Sequence, residues 1–142
     1  MRRLPAPLLA ALLLLAGCGG GPASPESVVR AWSQSINSDD NEAAARLFAP
    51  GAEVIQNGRV VTLRTLADAL AWNRALPCSG KIVSISTKGE DATATFLLGD
   101  REESRCDGPG STATAVFRVR EGKIVLWHQT GGAPPEDPVE AI

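Results

Sequence analysis

The chain is expected to fold as one α+β domain, helices first and an antiparallel sheet after them, and two observations carry that expectation. Up to Leu76 most apolar side chains recur at helical spacing, whereas from Gly80 the period falls to two and each segment has one apolar side. Elements that bury a stripe and elements that bury a face are stable when packed together, with the helices gathered on one face of the sheet. A length of 142 residues suits a single such domain.

The elements follow in order. Ser24, Pro25 and Glu26 supply an N-cap, a proline at the first helical position and an acid in the first turn. Val28, Val29, Trp32 and Ile36 then form the apolar stripe of a helix ending near Asn37-Ser38. Asp39 or Asp40 caps a second, short helix with Ala43, Ala44, Leu47 and Phe48 inward, and Pro50-Gly51 reads as its stop. Ala52 to Gln56 reads as a strand, Asn57-Gly58 as a hairpin turn and Arg59-Val60-Val61 as the return. A third helix is predicted over Leu63 to Leu76, with Leu63, Leu66, Leu70 and Asn73 along one face.

Three longer strands and a last one complete the sheet. Lys81 to Thr87 places Val83 and Ile85 on one side; Ala92, Ala94, Phe96 and Leu98 alternate with Thr93, Thr95 and Leu97; Ala113, Ala115, Phe117 and Val119 alternate with Thr112, Thr114, Arg118 and Arg120. Gly89-Glu90-Asp91 and Glu121-Gly122-Lys123 are turns, and Lys123 to Thr130 is the final strand. The mixed charges of Asp100 to Arg105, followed by Gly108-Pro109-Gly110, read as a long, mobile, solvated loop.

The ends carry different information. Met1-Arg2-Arg3 followed by the apolar run Leu8 to Ala16 has the layout of an export signal over residues 1–17, and the run is too short for a spanning helix, which needs about 20 residues. Its close, Leu15-Ala16-Gly17-Cys18, resembles the lipobox of bacterial lipoproteins. That resemblance implies cleavage before Cys18 and a diacylglyceryl thioether on it, with palmitate-type chains holding the protein on the extracytoplasmic side of the cell membrane. Residues 18–24 are then a lipidated tether, 25–130 the folded unit, and 131–142, rich in proline and acids, a disordered tail.

Composition narrows the function. There are 14 basic and 16 acidic residues, net −2, and loss of Arg2 and Arg3 takes the balance to −4. With no basic stripe, nucleic acid is not an expected partner, and membrane attachment falls to the acyl chains. Cys78 and Cys106 form an even pair, which outside the cytoplasmic membrane reads as a disulfide. Those two cysteines with the lone His128 are too few ligands for a zinc site, so neither metal nor cofactor is expected.

Within the folded unit the residues that carry a second resemblance are Val29 and Trp32 of the opening helix, the run Asn37-Ser38-Asp39-Asp40-Asn41-Glu42-Ala43-Ala44-Ala45-Arg46-Leu47-Phe48-Ala49-Pro50-Gly51-Ala52-Glu53-Val54, and Glu121-Gly122-Lys123-Ile124-Val125. Together they resemble the NTF2-like, or SnoaL-like, cone-shaped family. The resemblance implies three N-terminal helices packed on a curved, mostly antiparallel sheet around a conical pocket, which some members use as an active site and others for binding.

Enzymes of that fold place an Asp or His base inside the cone, commonly with a Tyr or second acid as proton donor. This chain has no Tyr, so steroid-isomerase chemistry lacks its phenol donor. A catalytic alternative (isomerase, dehydratase or hydrolase) would use His128 as general base with Glu53, Asp68 or Asp100 orienting it. The leading expectation is non-catalytic binding of a small apolar ligand or an envelope protein, with Trp32, Asn73, Trp127 and His128 at the site. Regular alternation puts His128 with Ile124 and Leu126, and Trp127 with Val125 and Gln129; a bulge swaps the assignment. Thr93, Thr95, Leu97, Thr112, Thr114 and Arg118 make an exposed sheet face through which two copies could pair.

Overall fold

The computed structural model describes residues 21–131. The export signal, Cys18 and residues 132–142 of the tail lie outside them. Among the described residues no helix is long and apolar enough to cross a membrane.

Helix α1 spans Pro25–Asn37, its N-cap hydroxyl on Ser24 accepting from the Ser27 amide, and it buries Val28, Val29, Trp32, Ser33 and Ile36. A turn through Asp39, at φ 54°, leads to α2, Asn41–Arg46, capped by the Asp40 carboxylate on the Ala43 amide. Here the expected Pro50-Gly51 stop is corrected. The helix ends at Arg46, and strand β1, Phe48–Gln56, runs through both residues. Phe48 pairs with Ile124 in parallel, and the register then shifts before Glu53 meets Leu126. Pro50 without an N–H and Gly51 at φ 83° fit that irregular stretch.

Strand β2, Arg59–Leu63, returns through a two-residue turn in which Asn57 and Gly58 both have positive φ. Helix α3, Leu66–Ala75, starts later than expected because Thr65 and Asp68 form a capping box and Leu63 belongs to β2, opposite Ala52. Its inner side is therefore Ala69 and Asn73, with Leu70 and Trp72 half-buried, while Leu66 is 55% exposed.

Strands β3 (Cys78–Lys88), β4 (Asp91–Asp100), β5 (Thr112–Arg120) and β6 (Lys123–Gly131) complete a six-stranded sheet of order β2-β1-β6-β5-β4-β3. Among the described residues only β1 and β6 run parallel. Two bulges decide which side chains face the helices. In β3 the register shifts between Ile82 and Ser84, so Val83 is 54% exposed and Ile82, not Val83, joins Ile85 against the core. In β6 the pairs Arg118–Leu126 and Val119–Ile124 leave Val125 as the extra residue, which turns both Ile124 and Trp127 inward. β6 also continues through Gly131, opposite Thr114, one residue past the boundary read from the sequence.

The core lies between this inner face and the helices. Trp32 meets Phe96, Phe117 and Trp127 with ring centroids 5.9, 5.2 and 6.2 Å apart, and Trp72 bridges Phe48 and Trp127. On the outer face Thr95 and Thr114 share a hydrogen bond of 2.9 Å across β4 and β5.

The loop after β4 is the clearest departure from expectation. Arg101 is 6% exposed and not solvated. Its guanidinium donates to Asp39 Oδ1 and Asn41 Oδ1, both at 2.5 Å, and to the carbonyls of Asn73 and Leu76, both at 2.9 Å. Burial works to raise the Asp39 pKa, but the hydrogen bond and charge of Arg101 outweigh it and hold the carboxyl below its ordinary value. Further on, Asp100 accepts from the Cys106 amide, Ser104 donates to the Pro77 carbonyl, and a disulfide joins Cys106 to Cys78. A loop so tied is a wall and not a mobile segment.

Candidate functional site

Between α1 and the inner face of the sheet lies a cavity of about 400 Å³, within the range of small-molecule sites. Each element contributes by its own period. From α1 come Trp32, Ser33, Ile36 and Asn37, one side of a helix at spacings of one, four and five. From the strands come alternate residues: Phe96 and Leu98, Ala113 and Ala115, Trp127 and Gln129. The bulge at Val125 is what puts the last pair there.

The space itself exists because small residues face it. Ala113 and Ala115 keep β5 thin, and Gly80 lets β3 pass close to the wall; a Cβ on Gly80 would lie 3.0 Å from that of Phe96. The Gly80 peptide is held from α1, with its N–H donating to Asn37 Oδ1 at 2.8 Å and its carbonyl accepting from Ser33 Oγ at 2.8 Å and Asn37 Nδ2 at 3.0 Å. Those two polar side chains of the wall are thus partnered with protein.

The aromatic wall is fixed from behind. The Trp32 indole N–H donates to Asn73 Oδ1 at 2.8 Å, and Asn73 Nδ2 donates to the Ala69 carbonyl at 2.8 Å. Asn73 is 0% exposed and does not line the cavity; it sets the orientation of Trp32. Trp127 does line it, and its own buried indole N–H has no acceptor among the described residues. Gln56, at the end of β1, donates from Nε2 to Gln129 Oε1 at 2.9 Å.

The mouth is framed by the turn residue Asn57, by Pro77 and Cys78, and by Asp107 and Gly108 of the disulfide-bonded loop. Asp107, exposed to solvent, is among the described residues the one lining side chain that ionises. Its Oδ1 lies 3.3 Å from Cys78 Sγ, a contact without a proton because both sulfurs are in the disulfide. Sγ of Cys78 and Cys106 and the Asp107 carboxylate fall within 4.8 Å of one another, but with the sulfurs joined only one metal donor remains.

Of the residues singled out in the sequence, Trp32 and Trp127 come together at the cavity, with Asn73 behind them. His128 does not. It pairs with Ile55 and Val116 on the outer face of the sheet, because the β6 bulge gives the inward position to Trp127. Glu53 stands on the same outer face, opposite Leu126, and is exposed. Asp68 is used in the α3 capping box and Asp100 in bonding the Cys106 amide. Gln56 and Gln129 were not singled out by sequence reasoning, though Gln129 stands two residues from Trp127 and shares its parity.

No family model matches the chain, and neither does any curated protein sequence. Solved structures do. An NTF2-like protein of unknown function from Cytophaga hutchinsonii superposes with a TM-score of 0.64 at 11% identity, over 78% of this chain and 91% of that one. A protein with a ketosteroid isomerase-like fold from Catenulispora acidiphila, solved with trimethylamine, gives 0.62 at 16% identity, over 80% and 90%. An LEH-like epoxide hydrolase from M. tuberculosis gives 0.56 at 15% identity, over 74% and 80%. These likenesses concern backbone shape, and with the element order and sheet topology they establish that the chain has the NTF2-like fold.

Proposed function

We propose that this chain is a membrane-anchored, extracytoplasmic lipoprotein whose NTF2-like domain binds a small apolar ligand without turning it over. The observation that carries the binding reading is the cavity of about 400 Å³ walled by Trp32, Phe96 and Trp127. Aromatic faces of this size offer a ligand a large contact area and little entropy to lose. Support for a non-catalytic role comes from the chemistry of the wall. Among the described residues its single ionisable group is Asp107 at the mouth, and His128, the chain's one histidine, faces the other way. General acid–base catalysis requires a titrating group within hydrogen-bond reach of the reacting atoms, or through one water.

The anchoring half of the proposal rests on Met1-Arg2-Arg3, the apolar run and Leu15-Ala16-Gly17-Cys18. Two acyl chains on one cysteine suffice for stable attachment where a single chain is marginal. The test has two parts. In a bacterial host, the native protein is expected in the membrane fraction with palmitate label and the Cys18→Ser protein without it; equal labelling of both would overturn the anchoring. Native mass spectrometry of protein purified from its own envelope is expected to show a bound mass of small-molecule size. A ligand-free spectrum under conditions that keep the fold would overturn the binding.

A further inference from the structure

Resting on the binding reading, we propose that the cavity selects an uncharged ligand carrying a hydrogen-bond donor and an acceptor at one end of an apolar body, as in an amide, lactam or hydroxy-ketone, and that Gln56 and Gln129 read that end. The inference comes from the hydroxyl and amide side chains of the wall; beyond these, the Trp127 indole N–H has no acceptor among the described residues and Asn57 stands exposed at the mouth. Ser33 and Asn37 are bonded to the Gly80 peptide, Ser79 Oγ donates to the Asp100 carbonyl at 2.9 Å, and Ser111 Oγ donates to the Gly108 carbonyl at 2.5 Å.

The two glutamines differ. They make one bond to each other, and neither side-chain amide has another partner among the described residues. An amide offers two donors and a carbonyl acceptor, so a single N–H···O bond between two amides leaves one carbonyl and one NH2 group free, whichever way each is turned. Both half-buried side chains line the cavity from adjacent strands. A ligand that leaves those groups unpaired pays for their desolvation, and one that supplies both partners avoids it. A charged ligand is disfavoured because among the described residues no cationic side chain lines the space to balance an anion, and the Asp107 carboxylate stands exposed at the mouth, away from a buried cation.

The experiment is equilibrium dialysis with three neutral probes: 2-quinolone, whose ring N–H and C=O supply donor and acceptor, N-methyl-2-quinolone, which keeps the acceptor alone, and naphthalene. The native protein is expected to bind 2-quinolone about tenfold more tightly than its N-methyl derivative. Gln129→Met and Gln56→Met are each expected to bring that ratio close to one while naphthalene binding is retained, which also shows that the variants are folded. If the native protein binds both quinolones equally, or if the variants keep the preference, this inference fails and the binding reading stands. If none of the three probes binds, both fail.

Discussion

Two of the polar clusters enclosed by this fold are treated in opposite ways. Around Arg101 four hydrogen bonds reach α3, the Asp39 turn and the start of α2, so the guanidinium is closed off by protein partners. Around Gln56 and Gln129 one hydrogen bond is made and the rest of the amide capacity is left beside an apolar cavity. A fully partnered buried network fixes a structure, whereas unpaired polar groups are costly when water is excluded from them. The difference separates a residue that builds the cone from residues proposed to read its ligand.

Substitutions can break that comparison at several strengths. The largest effect is expected at Arg101→Met, which leaves the half-buried Asp39 without its cation and frees two carbonyls of the α3 end. Removing one partner of such a pair costs about 3–5 kcal/mol, read from urea unfolding. A loss below about 1 kcal/mol would show that the network does not hold the helices to the sheet. Replacing Cys78 and Cys106 by alanine opens a link across 28 residues of sequence and is expected to cost about 3–4 kcal/mol on the chain-entropy model. Because Asp107 and Gly108 lie next to Cys106, the same variant should weaken probe binding.

The pH dependence sharpens the first of these. Asp39 has a pKa below its ordinary value in the folded chain, so its contribution is complete above the unfolded value of about 3.9 and is lost as pH falls through the folded value. Asp39→Asn is expected to be less stable than the native protein at neutral pH and to lose less stability below about pH 4. Parallel acid limbs for the two proteins would contradict the assignment. A smaller effect belongs to Thr65→Ala, which removes half of the α3 capping box and should cost about 1 kcal/mol by thermal unfolding. Least of all, Gln129→Met, which breaks the single Gln56–Gln129 bond, is expected to cost about 0.5 kcal/mol, the low end for one net hydrogen bond.

What the sequence made legible was local. Caps at Ser24 and Asp40 depend on the next three residues, the Asn57-Gly58 turn on two, and the alternation of β4 and β5 on a simple period; the Thr65 capping box is equally local, yet the third helix was expected from Leu63. Pairing across the chain was not legible. Arg101 stood in a run of charges that looked solvated, while its partners Asp39 and Asn41 are 62 and 60 residues away. The bulges at Val83 and Val125 arise from tertiary registers, and a bulge shifts parity by one. That single displacement moved His128 out of the candidate site and Gln129 into it. Proline and glycine at 50 and 51 read as a helix stop because the parallel partner of β1 lies more than seventy residues later, at Ile124.

The central claim is that a neutral apolar molecule enters the cone and contacts its aromatic wall. The three tryptophans report on it directly, because each indole N–H gives its own signal in an amide correlation spectrum of 15N-labelled protein. Trp32 and Trp127 line the cavity, whereas Trp72 packs behind Trp127. On titration with naphthalene the Trp32 and Trp127 indole signals are expected to shift most, Trp72 less, and the backbone of His128 and Thr114 on the outer face least. Shifts confined to the outer face, or none in the indole region, would contradict the claim.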